Sequence, residues 1–381
     1  MALIQFTKIY SSKGALSLEA TLDNGDSFPL IFSWNHPTEI DFDRLAALLS
    51  SFCGIAYSEI YFDFPVSVEM IKRVAEFTKA KVESSEENHL TLPRKRSGHV
   101  LSFSGGFDSL AAKALMPIDT HLVSIDFGGR FHRESIFFER FNPFVVETNL
   151  VETPFRQNSW TFMSLGAIIA DATLNSRYHT FGTILEAFPD SFAHNQGVVQ
   201  NFTPLPLEMI GVENAPYVLG LSEAATLKIV LQSDRALLND ALISLASPRE
   251  EKLHRKKMLA TAVAQRLGTS LNLPEIESPL KPHFSFGEVF SVDLIALYVG
   301  WALGKQVADT MVRDLPESAL NEVNASGMDF MEHWNPNLYE SFPTELYPSL
   351  VHKLASFGLH PYTEQNWEQL AIIRRILNKH L

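Results

Sequence analysis

The chain has 381 residues, of which 46% are hydrophobic and 20% charged, with a formal net charge of −13. This length holds two or three domains, and the balance of apolar to charged residues excludes wholesale disorder. The negative charge disfavours broad, non-specific binding to nucleic acid or anionic membrane.

Residues 1–35 alternate apolar and polar positions, with turn signals at "SSKG" and "DNGDS". Asn24-Gly25 predicts a tight hairpin, because both central positions of that turn favour positive φ. A helix is expected over "DFDRLAALLSSFCGI", a strand over "YSEIYFDFPV", and a helix over "SVEMIKRVAEFTKAKV" with Ser67 as its N-cap. Together these make a small α+β module over residues 1–85. The opening residues lack a basic start followed by a long apolar core, so no secretory signal is expected. The one cysteine, Cys53, makes no internal disulfide and no cysteine zinc cluster. It reads as a small buried apolar residue, with a reactive thiol as the other reading, and it fits a reducing, cytoplasmic setting. Residues 83–98, "ESSEENHLTLPRKRSG", are polar, charged and interrupted by proline, which predicts a linker. Within it, Arg94-Lys95-Arg96 reads either as a solvated connector or as cations beside bound phosphate.

From residue 99 the rhythm changes. Strands are expected at "HVLSFS", "THLVSIDFG", "FVVETNL" and "YHTFGTIL", and helices at "SLAAKAL", "RESIFFERF" and "SWTFMSLGAIIADATLN". Short apolar strands separated by helices imply parallel pairing with right-handed crossovers, hence a doubly wound α/β sheet covered on both faces. Ligands of such sheets sit beyond the strands' carboxyl ends, where Ser104 onward falls. After about residue 204 the chain becomes mainly helical, with helices expected at "SEAATLKIVLQ", "PREEKLHRKKMLATAVAQRL", "SVDLIALYVGWALGKQVADTMV" and "TEQNWEQLAIIRRILNKHL". The most apolar run, "VDLIALYVGWALG", falls short of the ~20 residues that span a bilayer. It reads as a buried helix.

The stretch "LSFSGGFDSLAA" carries the chemistry. Gly105 and Gly106 open backbone torsions closed to other residues and let a ligand approach the chain. They lead into a helix, so unpaired N–H groups and the helix dipole converge on an anion site, most naturally one for phosphate. Ser104 and Ser109 add hydroxyl donors. A carboxylate at Asp108 would repel phosphate unless a divalent cation lay between them, which argues for Mg²⁺. The alternative is a plain capped helix start, which does not need the whole set.

These residues resemble the SGG-x-DS loop of the N-type ATP pyrophosphatases, the PP-loop or adenine nucleotide α-hydrolase-like (HUP) superfamily, over roughly residues 98–235. Phe107 stands where a smaller aliphatic is common. The missing lysine of a Walker-type loop argues against ordinary kinase or GTPase chemistry. The resemblance implies ATP and Mg²⁺ as cofactors, with Ser102, Phe103, Ser104, Gly105, Gly106, Phe107, Asp108 and Ser109 around the pyrophosphate and Asp108 as metal ligand. It implies that Ile125, Asp126 and Phe127 contact adenine, largely through backbone. Asp126 then holds a ribose hydroxyl or is simply a solvated strand-end acid. Gly182 and Thr183 follow the fourth strand and face the nucleotide. Glu186 and Asp190 bind metal, position substrate, or are only helix-terminal charges. The implied reaction is attack of a substrate oxygen on the α-phosphorus, giving an adenylated intermediate and pyrophosphate, with Asp108 and Glu186 as the catalytic acids.

Arg130, His132 and Arg133 follow the turn at Gly128-Gly129, where they suit an anionic substrate or form a solvated helix start. His194 and Gln196 are further candidates for the mouth of the site. Trp160 and Phe162 read as core rather than as a substrate platform. "LHRKKM", residues 253–258, reads as a helix's wet face, with a local patch for tRNA or another anionic partner as the sharper reading.

Absences narrow the branch. The 7-cyano-7-deazaguanine synthases resemble this core, and "FPDSF" resembles their proline-aspartate segment, but they hold zinc with clustered cysteines that this chain lacks. Thiolating tRNA enzymes use paired cysteines, also missing. Cys53 lies too far inside to be the N-terminal nucleophile of a glutamine-dependent synthetase, which leaves ammonia or a separate amidotransferase partner open. The order of N-terminal module and loop is similar in layout to the ATP-dependent muramyl-peptide glutamate epimerases, which implies a carboxylate substrate. The expectation is therefore an AMP-forming enzyme acting on a small carboxylate or carbonyl compound, with no membrane association and room for a protein partner or homodimer. The alternative is a regulatory nucleotide-binding subunit of a multi-protein, for example defence, complex.

Overall fold

The computed structural model describes residues 2–88, 95–187, 192, 204–247, 250–273, 275 and 281–380. Two compact units emerge. The first comprises Met1–Ser104, Pro117–Phe181 and Phe202–Ala215; the second comprises Gly105–Met116, Gly182–Asn201 and Pro216–Leu381.

The first unit is built on a ten-stranded sheet. In chain order its strands are β1 (Leu3–Ser12), β2 (Ala15–Leu22), β3 (Ser27–Trp34), β4 (Glu59–Ser67), β5 (Lys81–Asn88), β6 (His99–Ser102), β7 (His121–Asp126), β8 (Phe144–Thr148), β9 (Tyr178–Thr180) and β10 (Glu213–Asn214). They lie in the order β10-β9-β6-β7-β8-β3-β2-β1-β4-β5. Pairing is parallel from β10 to β8, antiparallel from β8 through β3 and β2 to β1, and parallel again through β4 and β5. A large, mostly parallel α/β sheet is thus present as expected.

The alternation read in residues 1–35 appears as burial of every second side chain: Ile4 and Phe6, Leu16 and Leu18 with Ala20, Leu30 and Phe32 with Trp34. This period of two keeps one face on the core. The Asn24-Gly25 turn is looser than the two-residue hairpin expected. Only Gly25 is left-handed, at φ 89°, while the Asn24 side chain accepts from the Asp26 amide at 3.0 Å. An asparagine side chain that mimics a backbone turn relieves Asn24 of positive φ. Much of the expected linker is also a strand, since "ESSEEN" lies in β5. It pairs on one side only, at the sheet's edge, where charged residues discourage pairing with other chains.

Helices α1 (Phe42–Ser51), α2 (Val68–Thr78), α4 (His132–Phe138), α5 (Leu165–Leu174) and α6 (Leu205–Met209) complete this unit; α3 (Phe107–Leu115) belongs to the second. Ser67 is the N-cap of α2 as expected, accepting from the Met70 amide at 3.2 Å. Ser67→Ala should therefore cost about 1 kcal/mol, read as a lower urea midpoint with an unchanged slope; an unchanged midpoint would deny the cap any contribution. The helix expected to start at Ser159 instead begins as a tight turn, Trp160–Ser164, before α5. Trp160 is 61% exposed, contrary to its reading as core, whereas Phe162 does pack against the core.

Arg96 is neither a solvated connector nor a phosphate contact. Its guanidinium donates to both oxygens of Asp171, at 2.7 and 3.0 Å, and to the carbonyls of Ser176 and Ile210. Arg44 binds the same carboxylate at 3.0 Å. A bidentate fork with its remaining donors on carbonyls is how a guanidinium is stably buried. Arg94 lies outside the described residues. Cys53 is fully buried, and burial pushes its thiol's pKa up, so it is an inert packing residue rather than a reactive one.

The second unit is helical. Besides α3 it holds α7 (Glu223–Ser233), α8 (Leu238–Leu245), α9 (Glu251–Arg266), α10 (Phe290–Leu303), α11 (Lys305–Ala308), α12 (Glu317–Ser326), α13 (Tyr347–Ser356) and α14 (Glu364–Ile376). The helix expected from Ser291 to Val312 breaks at Gly304, whose φ of 95° ends α10. Thr363 and Asn366 form a reciprocal capping box at the start of α14. Among the described residues no helix is long and apolar enough to cross a membrane.

Candidate functional site

Strand β6 ends at Ser102, and α3 begins five residues later. Gly105 takes φ 79°, a left-handed conformation that a side chain would strain, and Gly106 is the N-cap of α3 with no side-chain acceptor. An α-helix has no internal partners for its first amides, so the partners of these donors come from outside α3. Ser104 is exposed, whereas Ser109 is buried and donates its hydroxyl to the Gly106 carbonyl at 2.9 Å. Phe103 and Phe107 are buried side chains, so each offers the loop only its backbone.

Asp108 opens the first turn of α3 and anchors a cluster of charges inside the second unit. Its Oδ1 accepts from the Thr226 hydroxyl of α7 at 2.9 Å. One turn earlier on α7, Glu223 is buried, and the Lys256 ammonium of α9 donates to its carboxylate. The Glu223 amide donates to Oε1 of Glu186 at 2.9 Å, while Oε2 of Glu186 is buried with no partner among the described residues. Gly182 completes the approach. A Cβ there would lie 3.3 Å from the Ser109 nitrogen and 3.4 Å from the Asp108 Cβ, so a larger residue would press on the start of α3.

Burial sets the electrostatics. It pushes the Asp108 carboxyl up to about 6, with the Glu223 charge adding to the shift and Lys256 and Lys252 opposing it. Glu186 is pushed up to about 8, chiefly by burial, against the Glu223 amide and with the repulsion of Glu223 and Asp108 behind it. For Lys256, burial works against the charge, but Glu223, Asp108 and Glu186 outweigh it and its pKa is raised. Carboxylates thus outnumber the buried ammonium, and such a cluster holds protons or accepts a further cation. Glu186 gives this a measurable form. Its folded pKa lies above the usual 4.5, so the folded chain keeps a proton that the unfolded chain releases, and stability falls as pH rises from about 4.5 through about 8. Glu186→Gln should flatten that decline and stabilise the chain most above pH 8; identical pH profiles for both proteins would exclude the shift.

Elsewhere the expected residues have their own partners. Asp126 accepts from the Gly128 amide at 2.7 Å, and its other oxygen lies 4.0 Å from His132, so it braces the turn where Gly128 and Gly129 take positive φ. Ile125 packs against Gly166, where a Cβ would come within 2.9 Å of it. Phe127 stacks edge-on against Phe131 and Phe162. Thr183 is half-buried, and Arg133 lies in α4. Arg130 falls within the short turn Gly129–Phe131. Asp190, His194 and Gln196 lie outside the described residues.

Several participants were missed. Glu223, Thr226 and Lys256 come from helices read only as helices. Lys256 belongs to "LHRKKM", whose reading as a wet face fails: Leu253 and His254 are buried, Arg255 pairs with Glu251, and Lys256 faces the acids. Charges spaced i, i+4 with Lys252 were the available signal. His179 was also missed; its Nε2 is 2.8 Å from the Ser102 hydroxyl, and burial pulls its pKa down to about 3, so the ring is neutral.

Mg²⁺ binds through one or two carboxylates completed by water and phosphate oxygens. Among the described residues no three acids or histidines form a closed metal cage. The open donor set of Asp108 and the orphaned Oε2 of Glu186 fits such an ion. Comparison with family models, with curated proteins and with solved structures finds no match to this chain.

Proposed function

We propose that this chain is an ATP-dependent, AMP-forming enzyme with a doubly wound PP-loop core, activating a carboxylate or carbonyl oxygen of a small molecule with release of pyrophosphate. The observation that carries the reading is the left-handed Gly105 and the glycine N-cap Gly106 opening a helix whose first turn bears a partly buried acid, backed by Glu186, Glu223 and Lys256. A helix start that needed only a cap would have no use for that cluster.

Each residue has a part. The amides at the start of α3 and the Ser104 hydroxyl hold the polyphosphate oxygens. Asp108 and Glu186 would hold Mg²⁺, which supplies positive charge against the charge developing on the leaving pyrophosphate. Thr226 fixes the Asp108 carboxylate by donating to one oxygen and leaves the other for binding. Without metal Glu186 holds a proton below about pH 8, which it would release to offer Oε2 to Mg²⁺ while Oε1 stays engaged by the Glu223 amide. Lys256 balances Glu223 and stands ready beside the same acids as a second positive group. The resemblance alone assigns Ile125, Asp126 and Phe127 to adenine and ribose, and Gly182 and Thr183 to the nucleotide.

The deciding experiment incubates the protein with Mg-ATP and a panel of small carboxylic acids and measures pyrophosphate. Substrate-dependent release supports the enzyme. Tight ATP binding with no release across the panel assigns the chain to the regulatory nucleotide-binding class, and no ATP binding ends both readings.

A further inference from the structure

A cavity of about 590 Å³ opens in the helical unit, lined by Lys281, Ser285, Lys305, Asp309, Arg313 and Asp314. Its volume is that of a small-molecule site. It shares no lining residue with the Asp108 cluster.

The cavity's charges are unevenly satisfied. Lys305 is spent on Asp309, whose two oxygens lie at 2.7 and 2.8 Å from its ammonium. Neither Lys281 nor Arg313 has a carboxylate within ion-pair distance among the described residues. Arg313 is held firmly. Its backbone exchanges hydrogen bonds with Phe284 and Phe286, at 3.0 and 2.8 Å, and its Nη2 donates to the Ser285 hydroxyl at 2.8 Å. Its Nε is buried and has no acceptor among the described residues. Ser285 accepts from Arg313 and so keeps its own proton to donate. Asp314, next in sequence, sits at φ 57°, an uncommon conformation for a residue with a side chain.

We infer that this cavity binds the phosphoryl group of a small phosphate ester. A fixed guanidinium with an unused donor, an ammonium without a carboxylate and a hydroxyl donor come from separate points of the chain. That set suits a tetrahedral dianion with several peripheral oxygens better than a planar carboxylate, which one guanidinium fork satisfies alone. Asp309 and Asp314 then face the rest of the ligand, where they accept from hydroxyl groups. In a chain of net charge −13 the acids around the rim would repel an anion, so the site must recognise it at short range.

Calorimetric titration of the full chain with inorganic phosphate, without Mg²⁺ or nucleotide, tests this, with acetate as the planar control. Saturable phosphate binding tighter than acetate is expected. Arg313→Gln should weaken it about tenfold or more and Lys281→Gln about threefold, as loss of charge-assisted bonds requires. Lys281 is exposed, so its variant reports on binding even if Arg313→Gln fails to fold. The inference is overturned if phosphate does not saturate, if acetate binds equally well, or if Lys281→Gln matches the parent, which would place the ion outside this cavity.

Discussion

Asp108→Asn is expected to lower Mg-dependent pyrophosphate release by roughly 100-fold or more, the scale of losing one placed charge from a polar active site. Asparagine keeps the shape and can still accept from the Thr226 hydroxyl, so the loop geometry should survive. What goes is the negative charge, and with it the hold on a cation. Stability should move the other way. The Asp108 carboxylate is costly where it stands, pushed up to about 6 by burial and by Glu223. A neutral side chain removes that repulsion, so the variant should unfold at the same or a higher urea concentration than the parent at neutral pH. The same shift predicts that parental turnover climbs as pH rises through about 6, where Asp108 gives up its proton. Full activity in a well-folded Asp108→Asn protein would overturn the metal assignment.

Lys256→Met should destabilise the chain by about 3 kcal/mol, because it strips a buried carboxylate of its cation. Glu223 is 4% exposed, and the methionine fills the space of the lysine stem without replacing its charge. Three acids would then share the region with no ammonium among them. Protonation is their only relief, so the loss should be greatest above pH 8 and shrink towards pH 5. Pairing Lys256→Met with Glu223→Gln should recover most of it. Urea titrations at both pH values measure this; a loss that is the same at each pH, or one the second substitution does not repair, would mean that the lysine matters only for packing.

Local features were legible because their causes are local. Ser67 caps α2 because a serine hydroxyl reaches the amide three residues on, whatever the rest of the chain does. Ile4, Leu16 and Phe32 point inward because a strand's side chains alternate. Where reading failed, a distant partner had intervened. The polar run "ESSEEN" reads as linker until β4 offers it an edge to pair with. Arg96 reads as a surface charge until Asp171, 75 residues later, is folded against it. The rarity of apolar residues in one stretch and the charge in the other said nothing of these partners.

From its order of residues alone this protein declared a glycine turn between strand and helix with an acid in the helix's first turn, since torsional freedom and helix-end donors depend on neighbours in the chain. Only the packing of α7 and α9 decided that Thr226, Glu223 and Lys256 meet Asp108. Those contacts join residues more than a hundred positions apart, and the burial that shifts Asp108 and Glu186 exists only once the helices have excluded water.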